Sequence, residues 1–323
     1  MRRFILSLVA MAAVTVVCTA PVRSATVWMG GDNTTRVQVH DAVSGAAAPF
    51  SPLITPTGNT QGLALLGDTV LVALAVGGPD GFGTIRQYDQ DGNDLGTWAS
   101  YTFQAGPRGL TIQPGTGHVL AGDNFRGAAE PEQVSRFNKD TGAFMGTFTS
   151  GLAMNRVWDL DYGPDGNLYV NDNAGIHRFN GTTGALMQSN IVTACFGVAF
   201  DDAGFMYTVR GEGPASERVS RYLPNGTLVT DSVVSSFTLS NGQVGGETFI
   251  SDWDFDDSGN MLVILNRSQN RGVHKVRLSD DAYLGLLAAW TSTGQPYSVL
   301  FVPEPATLGL LGLGGLMMLR RRR

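Results

Sequence analysis

The chain has 323 residues, of which 15% are charged and 42 are glycine, and its formal net charge is −6. This balance argues against nucleic acid as a partner, because phosphate binding needs a basic stripe and the only dense basic run is the last four residues. Outside the N-terminal segment the single cysteine is Cys195, so no intramolecular disulfide is expected and core burial must stabilise the fold.

The chain begins with the pattern of a secretory signal. Met1-Arg2-Arg3 is a short basic segment, and the following 14 residues, Phe4 to Val17, carry no charge. This run is too short to span a bilayer but has the length of a signal-peptide core. We therefore expect the secretion machinery to remove residues 1–24 as a signal peptide, so that the mature chain begins near Ala25. A retained N-terminal helix is the alternative.

One motif recurs six times between residues 25 and 302. Each copy has a β-branched residue, a polar residue, often a basic residue and then usually an aromatic one, and in most copies a turn ending in glycine follows. The copies start at Val37, Ile85, Val134, Ile176, Val219 and Val273. Successive copies start 42 to 54 residues apart, which indicates a repeat architecture.

A second motif alternates with the first and consists of two apolar strands joined by a tight turn. Its clearest copies begin at Asp159, Gly197 and Trp253, and weaker copies begin at Gly62 and Gly109. Period-2 alternation around turn residues predicts hairpins, so each unit contains two hairpins or four strands. Four-stranded units of ~40 to 50 residues are typical of β-propeller blades. We predict six blades, beginning near residues 25, 61, 107, 156, 196 and 249.

The two ends of this body predict a closed ring. The first unit begins at Thr26 and lacks the opening strand that the other units have, whereas an extra strand, Tyr297 to Phe301, follows the sixth unit. That strand would complete the first blade and remove an open sheet edge. Two tandem β-sandwiches are the alternative, but they do not explain why the motifs continue through the middle. The repeat rhythm resembles six-bladed propellers of the NHL, streptogramin-lyase and gluconolactonase type.

The C-terminal segment, residues 303–323, has three parts. A Pro-Glu-Pro motif precedes an apolar run from Ala306 to Leu319 and a basic block; the motif and block residues are Pro303, Glu304, Pro305, Arg320, Arg321, Arg322 and Arg323. This order resembles a PEP-CTERM sorting signal. The resemblance implies export, recognition by an exosortase-type membrane protease and delivery to the cell surface or to an extracellular matrix such as a biofilm.

The tail itself predicts a membrane segment with its arginines in the cytoplasm, by the positive-inside rule. Its 14 apolar residues reach only ~21 Å as a single helix, whereas the hydrocarbon core is ~30 Å thick. Such a short segment suits a transient anchor better than a permanent one. An ordinary, uncleaved tail anchor is the alternative.

Three Asp-Asn pairs form the candidate ligand site. Each follows the second strand of a predicted blade, and the loop there should open on the face around the central channel, where Arg108 and Arg156 should also gather. The six residues are Asp32, Asn33, Asp123, Asn124, Asp172 and Asn173. Gluconolactonase-like propellers hold a metal with such loop residues, and carboxylate and amide oxygens without histidine or cysteine favour calcium. Ordinary turn chemistry is the alternative.

Other polar features are interpreted as structural. His40, His177 and His274 recur inside the first motif, Asp-rich turns match the needs of tight hairpins, and Trp158 and Trp253 are expected to pack in the core. Two functional hypotheses remain. The first is a non-catalytic surface or matrix protein whose propeller binds polysaccharide or another protein. The second is a secreted, metal-dependent lactonase- or lyase-like enzyme.

Overall fold

The computed structural model describes residues 24–32, 36–54, 59–75, 83–103, 106–123, 133–211, 216–240, 249–266 and 269–304. These residues form six four-stranded antiparallel sheets, which confirms the all-β, six-bladed propeller. The predicted signal peptide, apart from Ser24, and the predicted membrane helix lie outside the described residues. Among the described residues, no helix has both the length and the apolar character needed to cross a membrane.

The strands of the six blades, each given from the central axis outward, are as follows. Blade one contains β24 (Gln295–Val302), β1 (Thr26–Asp32), β2 (Arg36–Asp41) and β3 (Leu53–Ile54). Blade two contains β4 (Asn59–Leu66), β5 (Thr69–Ala75), β6 (Gly83–Asp89) and β7 (Asp94–Phe103). Blade three contains β8 (Pro107–Ile112), β9 (Val119–Asp123), β10 (Val134–Phe137) and β11 (Phe144–Thr147).

Blade four contains β12 (Asp159–Tyr162), β13 (Leu168–Asp172), β14 (Gly175–Phe179) and β15 (Leu186–Gln188). Blade five contains β16 (Cys195–Phe200), β17 (Met206–Arg210), β18 (Arg218–Tyr222) and β19 (Leu228–Ser235), which leads into the short helix α1 (Ser236–Leu239). Blade six contains β20 (Ile250–Phe255), β21 (Asn260–Leu265), β22 (Gly272–Arg277) and β23 (Ala282–Ala289).

The innermost strands form a ring. Strand β24 contacts β4, and contacts then continue through β8, β12, β16 and β20 back to β24. Each inner strand runs from one face of the propeller to the other, and its antiparallel partner returns. We call the face where the inner strands begin the mouth face and the face where they end the tail face. Loops after the second strand of each blade therefore lie at the mouth face.

Ring closure occurs as the sequence predicts. Strand β24 pairs antiparallel with β1, in a register that runs from Thr26 opposite Val302 to Asp32 opposite Gln295. The C-terminal strand thus supplies the missing inner strand of blade one. Because β24 is also a neighbour of β4 and β20, the closing strand contacts both adjacent blades as well as its own.

The recurring motif is the third strand of each blade. Its β-branched first residue is completely buried in all six blades: Val37, Ile85, Val134, Ile176, Val219 and Val273. The glycine that ends the following turn has a left-handed backbone, as at Gly142 with φ 66°. A Cβ atom at Gly142 would lie 1.8 Å from the carbonyl oxygen of Trp98 in the preceding blade. Burial therefore explains why the first residue of the motif is β-branched, and close packing between blades explains why the turn ends in glycine.

Candidate functional site: the central channel and its mouth

The six inner strands enclose a cavity of about 330 Å³ along the central axis. Residues from all six blades line it, and four of them are half-buried aspartates: Asp159 and Asp161 on β12, and Asp252 and Asp254 on β20. The channel interior is thus acidic on the strands of blades four and six.

Each of these aspartates binds two backbone N–H groups, one in its own strand and one in the next blade. The Oδ1 atom of Asp159 accepts from Leu160 at 2.8 Å and its Oδ2 atom from Val198 on β16 at 2.9 Å. Asp161 binds the N–H groups of Tyr162 and Phe200 in the same way, at 2.8 and 3.1 Å. Blade four therefore holds the inner edge of blade five through two carboxylates. These bonds satisfy N–H groups at a strand edge that would otherwise lack a sheet partner.

Blade six holds the closing strand by the same arrangement. Asp252 Oδ2 accepts from the N–H of Val299 at 2.8 Å, and Asp254 Oδ2 accepts from that of Phe301 at 2.6 Å. The Oδ1 atoms accept from the backbone of β20 itself, at 2.9 and 2.8 Å. Since Val299 and Phe301 belong to β24, these carboxylates join the last blade to the strand that closes the ring.

Burial raises the pKa of all four carboxyls. The pKa of Asp161 rises to about 7, because desolvation and the neighbouring Asp159 and Asp254 carboxylates outweigh its two backbone hydrogen bonds. Desolvation likewise raises the pKa of Asp159 and of Asp254 to about 6. The pKa of Asp252 is well above its ordinary value, through desolvation and then the Asp159 charge. These channel carboxylates therefore take up protons as the pH falls from neutral to mildly acidic values.

The mouth of the channel is closed on one side by a stacked arginine. The guanidinium of Arg108, at the start of β8, lies 4.3 Å from the Trp158 ring centroid and 4.6 Å from that of Tyr297. It also donates a hydrogen bond to the Tyr297 hydroxyl. These contacts join blade three to blade four and, across blade two, to blade one. Arg156 is exposed beside the same cluster, 5.9 Å from Trp158, so Arg108 and Arg156 do gather at the mouth face.

One of the predicted Asp-Asn pairs holds the loop that presents these residues. Asp172 Oδ2 accepts from the N–H of Asn155 at 3.0 Å, and the N–H of Asn173 donates to the Asn155 carbonyl at 3.0 Å. Asn173 Oδ1 also accepts from the indole Nε1 of Trp158 at 2.7 Å. The loop places Arg156 in a left-handed backbone with φ 59°. Asp172 and Asn173 thus position the side chains at the mouth.

Asp172 is engaged within its own blade as well. Its Oδ1 atom accepts from the N–H groups of Ala174 and Gly175 at 2.7 and 3.2 Å and bonds His177 Nε2 at 2.9 Å. His177 Nδ1 accepts from the N–H of Asn190 at 3.3 Å, so Nε2 carries the proton that binds Asp172. Desolvation would raise the pKa of the Asp172 carboxyl, but the imidazole and the backbone N–H groups together outweigh it, so the pKa is lowered.

The other predicted ligand residues are only partly described. Asp123 is fully buried at the end of β9, and Asp32 ends β1. Asn33, Asn124 and the side chain of Asp32 lie outside the described residues. Within the described part of the chain, no three His, Cys, Asp or Glu side chains are grouped so that they could hold a metal ion. The calcium site stays a prediction.

The side chains interpreted as structural separate into two groups. His40, His177 and His274 are all buried in third strands, and Trp253 packs in the core between blades five and six. Trp158 does not follow the expectation for a core residue. It precedes β12, is half-buried and lies at the mouth with the two arginines.

Residues 301–323 match the family model of the PEP-CTERM protein-sorting motif. The chain carries a PEP-CTERM sorting motif. This motif confirms the resemblance seen in the sequence and implies processing by an exosortase, a membrane protein, with export and membrane-anchored sorting. It begins inside β24, because Phe301 and Val302 belong both to the motif and to the closing strand. No curated protein matches the sequence.

Solved structures resemble the propeller at low sequence identity. A protein of unknown function from Bacteroides caccae matches with a TM-score of 0.58 and 13% identity, over 87% of this chain and 99% of its own. The periplasmic gluconolactonase of Pseudomonas aeruginosa matches with a TM-score of 0.54 and 14% identity, over 87% and 99%. A putative oxidoreductase (glucose dehydrogenase) of Thermus thermophilus matches with a TM-score of 0.54 and 17% identity, over 75% and 87%. At these identities the likeness is one of fold alone.

Proposed function

We propose that this chain is an exported surface or matrix protein that an exosortase-type protease sorts through its PEP-CTERM motif. The signal-like segment at residues 1–24 and the motif at 301–323 support this assignment together. The closing strand leads directly into Pro303 and Glu304. Removal of the tail after this strand would leave the ring complete, so release from the membrane does not require the propeller to unfold.

Sorting predicts a defined change of mass. In cells that contain an exosortase, the surface form should lack residues Arg320 to Arg323, whereas cells without the protease should keep the full tail in the membrane fraction. Intact-mass measurement of both fractions checks this. Surface protein that retains its four C-terminal arginines would contradict the proposal. A chain with Glu304→Ala should keep its tail in the membrane fraction, because its Pro-Glu-Pro motif is broken.

We further propose that the propeller is a non-catalytic binding module whose ligand is an extracellular polysaccharide bound at the channel mouth. The arrangement that carries this proposal is the cluster of Trp158, Tyr297 and Phe196 with Arg108 and Arg156. Aromatic rings pack against the C–H faces of sugars, and guanidinium groups donate to their oxygens. The channel carboxylates below are engaged in backbone hydrogen bonds between blades, which is a structural role.

Binding at the mouth predicts which variants lose affinity. Arg156→Ala removes an exposed cation and Trp158→Ala removes an aromatic surface, so together they should weaken binding at least tenfold, or ~1.4 kcal/mol. Affinity electrophoresis through the purified extracellular polysaccharide of the producing cells measures the effect. Phe144→Ala, at an exposed outer-strand position, is the matched control. If the polysaccharide retards the double variant as strongly as it retards Phe144→Ala, the mouth is not the binding site. If the propeller binds a surface protein and no polysaccharide, its ligand is a protein.

The alternative is a metal-dependent lactonase- or lyase-like enzyme. Its support is the fold likeness to the Pseudomonas aeruginosa gluconolactonase and the Asp-Asn loops at the mouth face. If Asp32, Asp123 and Asp172 converge, a calcium ion there would stabilise the fold by ~2.7 kcal/mol when free calcium is a hundredfold above its dissociation constant.

Chelation tests that alternative. The melting temperature should fall when a chelator is added, and the double variant Asp123→Asn with Asp172→Asn should lose this dependence. His177→Gln, which alters a partner of Asp172 without removing a carboxylate, serves as the control. If the chelator does not change the melting temperature of the wild-type protein, the calcium site is rejected and the enzyme hypothesis has no metal.

A further inference from the structure

Both membrane-directed ends of the chain leave the propeller at one point. Thr26 lies opposite Val302 in the β1–β24 register, and antiparallel partners have Cα atoms only ~5 Å apart. The chain before Thr26 is held at this face, because the Ala25 carbonyl accepts from the N–H of Ala42 at 2.9 Å. The signal-like segment therefore ends, and the PEP-CTERM motif begins, at neighbouring positions on the tail face.

The direction of β24 decides which face is nearer the anchor. This strand begins at Gln295 by the mouth and ends at Val302 at the tail face. Three residues, Pro303 to Pro305, then separate it from the apolar run, and three residues span at most ~11 Å. The opposite end of β24 is ~26 Å away, at ~3.3 Å for each of its eight residues.

The tail face is also acidic. Its tight turns carry exposed aspartates in blades two to six: Asp68, Asp91, Asp140, Asp165, Asp202, Asp257 and Asp280. Three of these carboxylates, those of Asp140, Asp165 and Asp280, form ion pairs with Lys139, Arg178 and Arg277, so the aspartates of this face outnumber their basic partners. Anionic headgroups repel such a surface over about one Debye length, ~8 Å at physiological ionic strength. The short connection would therefore keep this face close to the bilayer, while its excess of carboxylates would disfavour adhesion to anionic headgroups.

We propose that the membrane-anchored precursor stands with its tail face toward the bilayer and its channel mouth away from it. This inference rests on the sorting assignment, since it needs the tail to be in the membrane, but it does not depend on any ligand. Either retained end gives the same orientation, because both ends leave from the same face. Arg108, Arg156 and Trp158 are then presented to the extracellular side before the tail is cleaved.

A pair of labelled positions in one hairpin tests the orientation. Thr193 precedes β16 at the mouth face and Asp202 follows it at the tail face; both are exposed, and β16 separates them by ~20 Å. The mature full chain, with Cys195→Ser and either Thr193→Cys or Asp202→Cys, carries a donor dye and is placed in phosphatidylglycerol-containing vesicles with a headgroup acceptor dye. Energy transfer from Asp202→Cys should be at least twice that from Thr193→Cys.

Equal transfer from both positions, or greater transfer from Thr193→Cys, would overturn the orientation. Transfer from neither would show that the tail does not anchor the chain, and the sorting proposal would fail with it. A chain ending at Glu304 should give no transfer. Twenty Gly and Ser residues inserted between Glu304 and Pro305 should abolish the difference between the two positions; a difference that survives would mean that the tether does not set the orientation.

Discussion

Ending the chain at Gly294 should prevent cooperative folding of the whole propeller. This truncation removes β24, which pairs with β1 along its length and buries Val299 and Val302. It also leaves the half-buried channel carboxylates of Asp252 and Asp254 without the N–H groups of the next blade. A buried polar group without its partner costs ~1–3 kcal/mol, and more when it is charged, and the open ring exposes strand edges on both sides of the gap.

The matched control ends at Glu304, so it lacks the sorting tail but keeps β24. This protein should unfold in one transition, whereas the chain ending at Gly294 should aggregate or melt without cooperativity. Calorimetry and size-exclusion chromatography of the two proteins make the comparison. An unchanged, cooperative transition in the shorter protein would contradict closure by β24.

Raising the pH from 5 to 8 should lower the free energy of unfolding. The folded-state pKa values of Asp159, Asp161 and Asp254 are about 6, 7 and 6, above the ordinary value of 3.8. The folded chain thus binds more protons than the unfolded chain in this window, so stability is lost as the pH rises through these pKa values. Between pH 5 and pH 8 the contribution of Asp161 alone is about 3 kcal/mol.

Other groups modify this profile without reversing it. Glu217, with its pKa raised to about 7 by burial, acts in the same direction. His274, with its pKa lowered to about 4 by burial, acts in the opposite direction below its unfolded value of 6.5. Carboxyls whose pKa is lowered, such as Asp41 at about 2 and Asp172, lose their stabilising effect only below about pH 4. Maximum stability is therefore expected at mildly acidic pH.

Urea unfolding at pH 5 and pH 8 measures the effect. Asp161→Asn should reduce the difference between the two values, because the amide cannot ionise and its oxygen can still accept one of the two N–H groups. Asp202→Asn, at an exposed turn, should leave the difference unchanged. Stability that rises from pH 5 to pH 8 in the wild-type protein would show that the channel carboxylates remain ionised throughout.

The blade architecture can be predicted because it depends on local patterns. The third strand of each blade carries a buried β-branched residue, from Val37 in blade one to Val273 in blade six. Glycine recurs in the turns that follow because their backbone is left-handed. The closing strand is detectable because blade one lacks an inner strand while residues 297–301 have no other partner in the repeat. Sequence spacing also places Arg108 and Arg156 correctly at the mouth.

The hydrogen bonds between blades are not predicted by the same patterns. Asp159-Leu160-Asp161 and Asp252-Trp253-Asp254 occupy the same place in blades four and six, and this Asp-x-Asp repeat is the available signal. On its own it indicates only strand alternation, because the acceptor role depends on how the next inner strand lies against the first. The position of Trp158 escapes prediction for a similar reason: one residue before the strand, the alternation between core and surface no longer applies.

Because Thr26 and Val302 are neighbours, the six blades could follow one another in the chain from a different starting blade and still form the same ring. A few glycine and serine residues could join these neighbouring ends, and the chain could be reopened at an exposed loop, giving a circular permutant with the same ring. Opening the chain in a mouth-face loop would move the sorting tail to the mouth face, and under the proposed orientation the permuted propeller would then stand the other way up on the membrane. If the anchored propeller takes the proposed orientation, the face turned away from the membrane is set by the point at which the sorting tail leaves the ring, and the blades do not determine it.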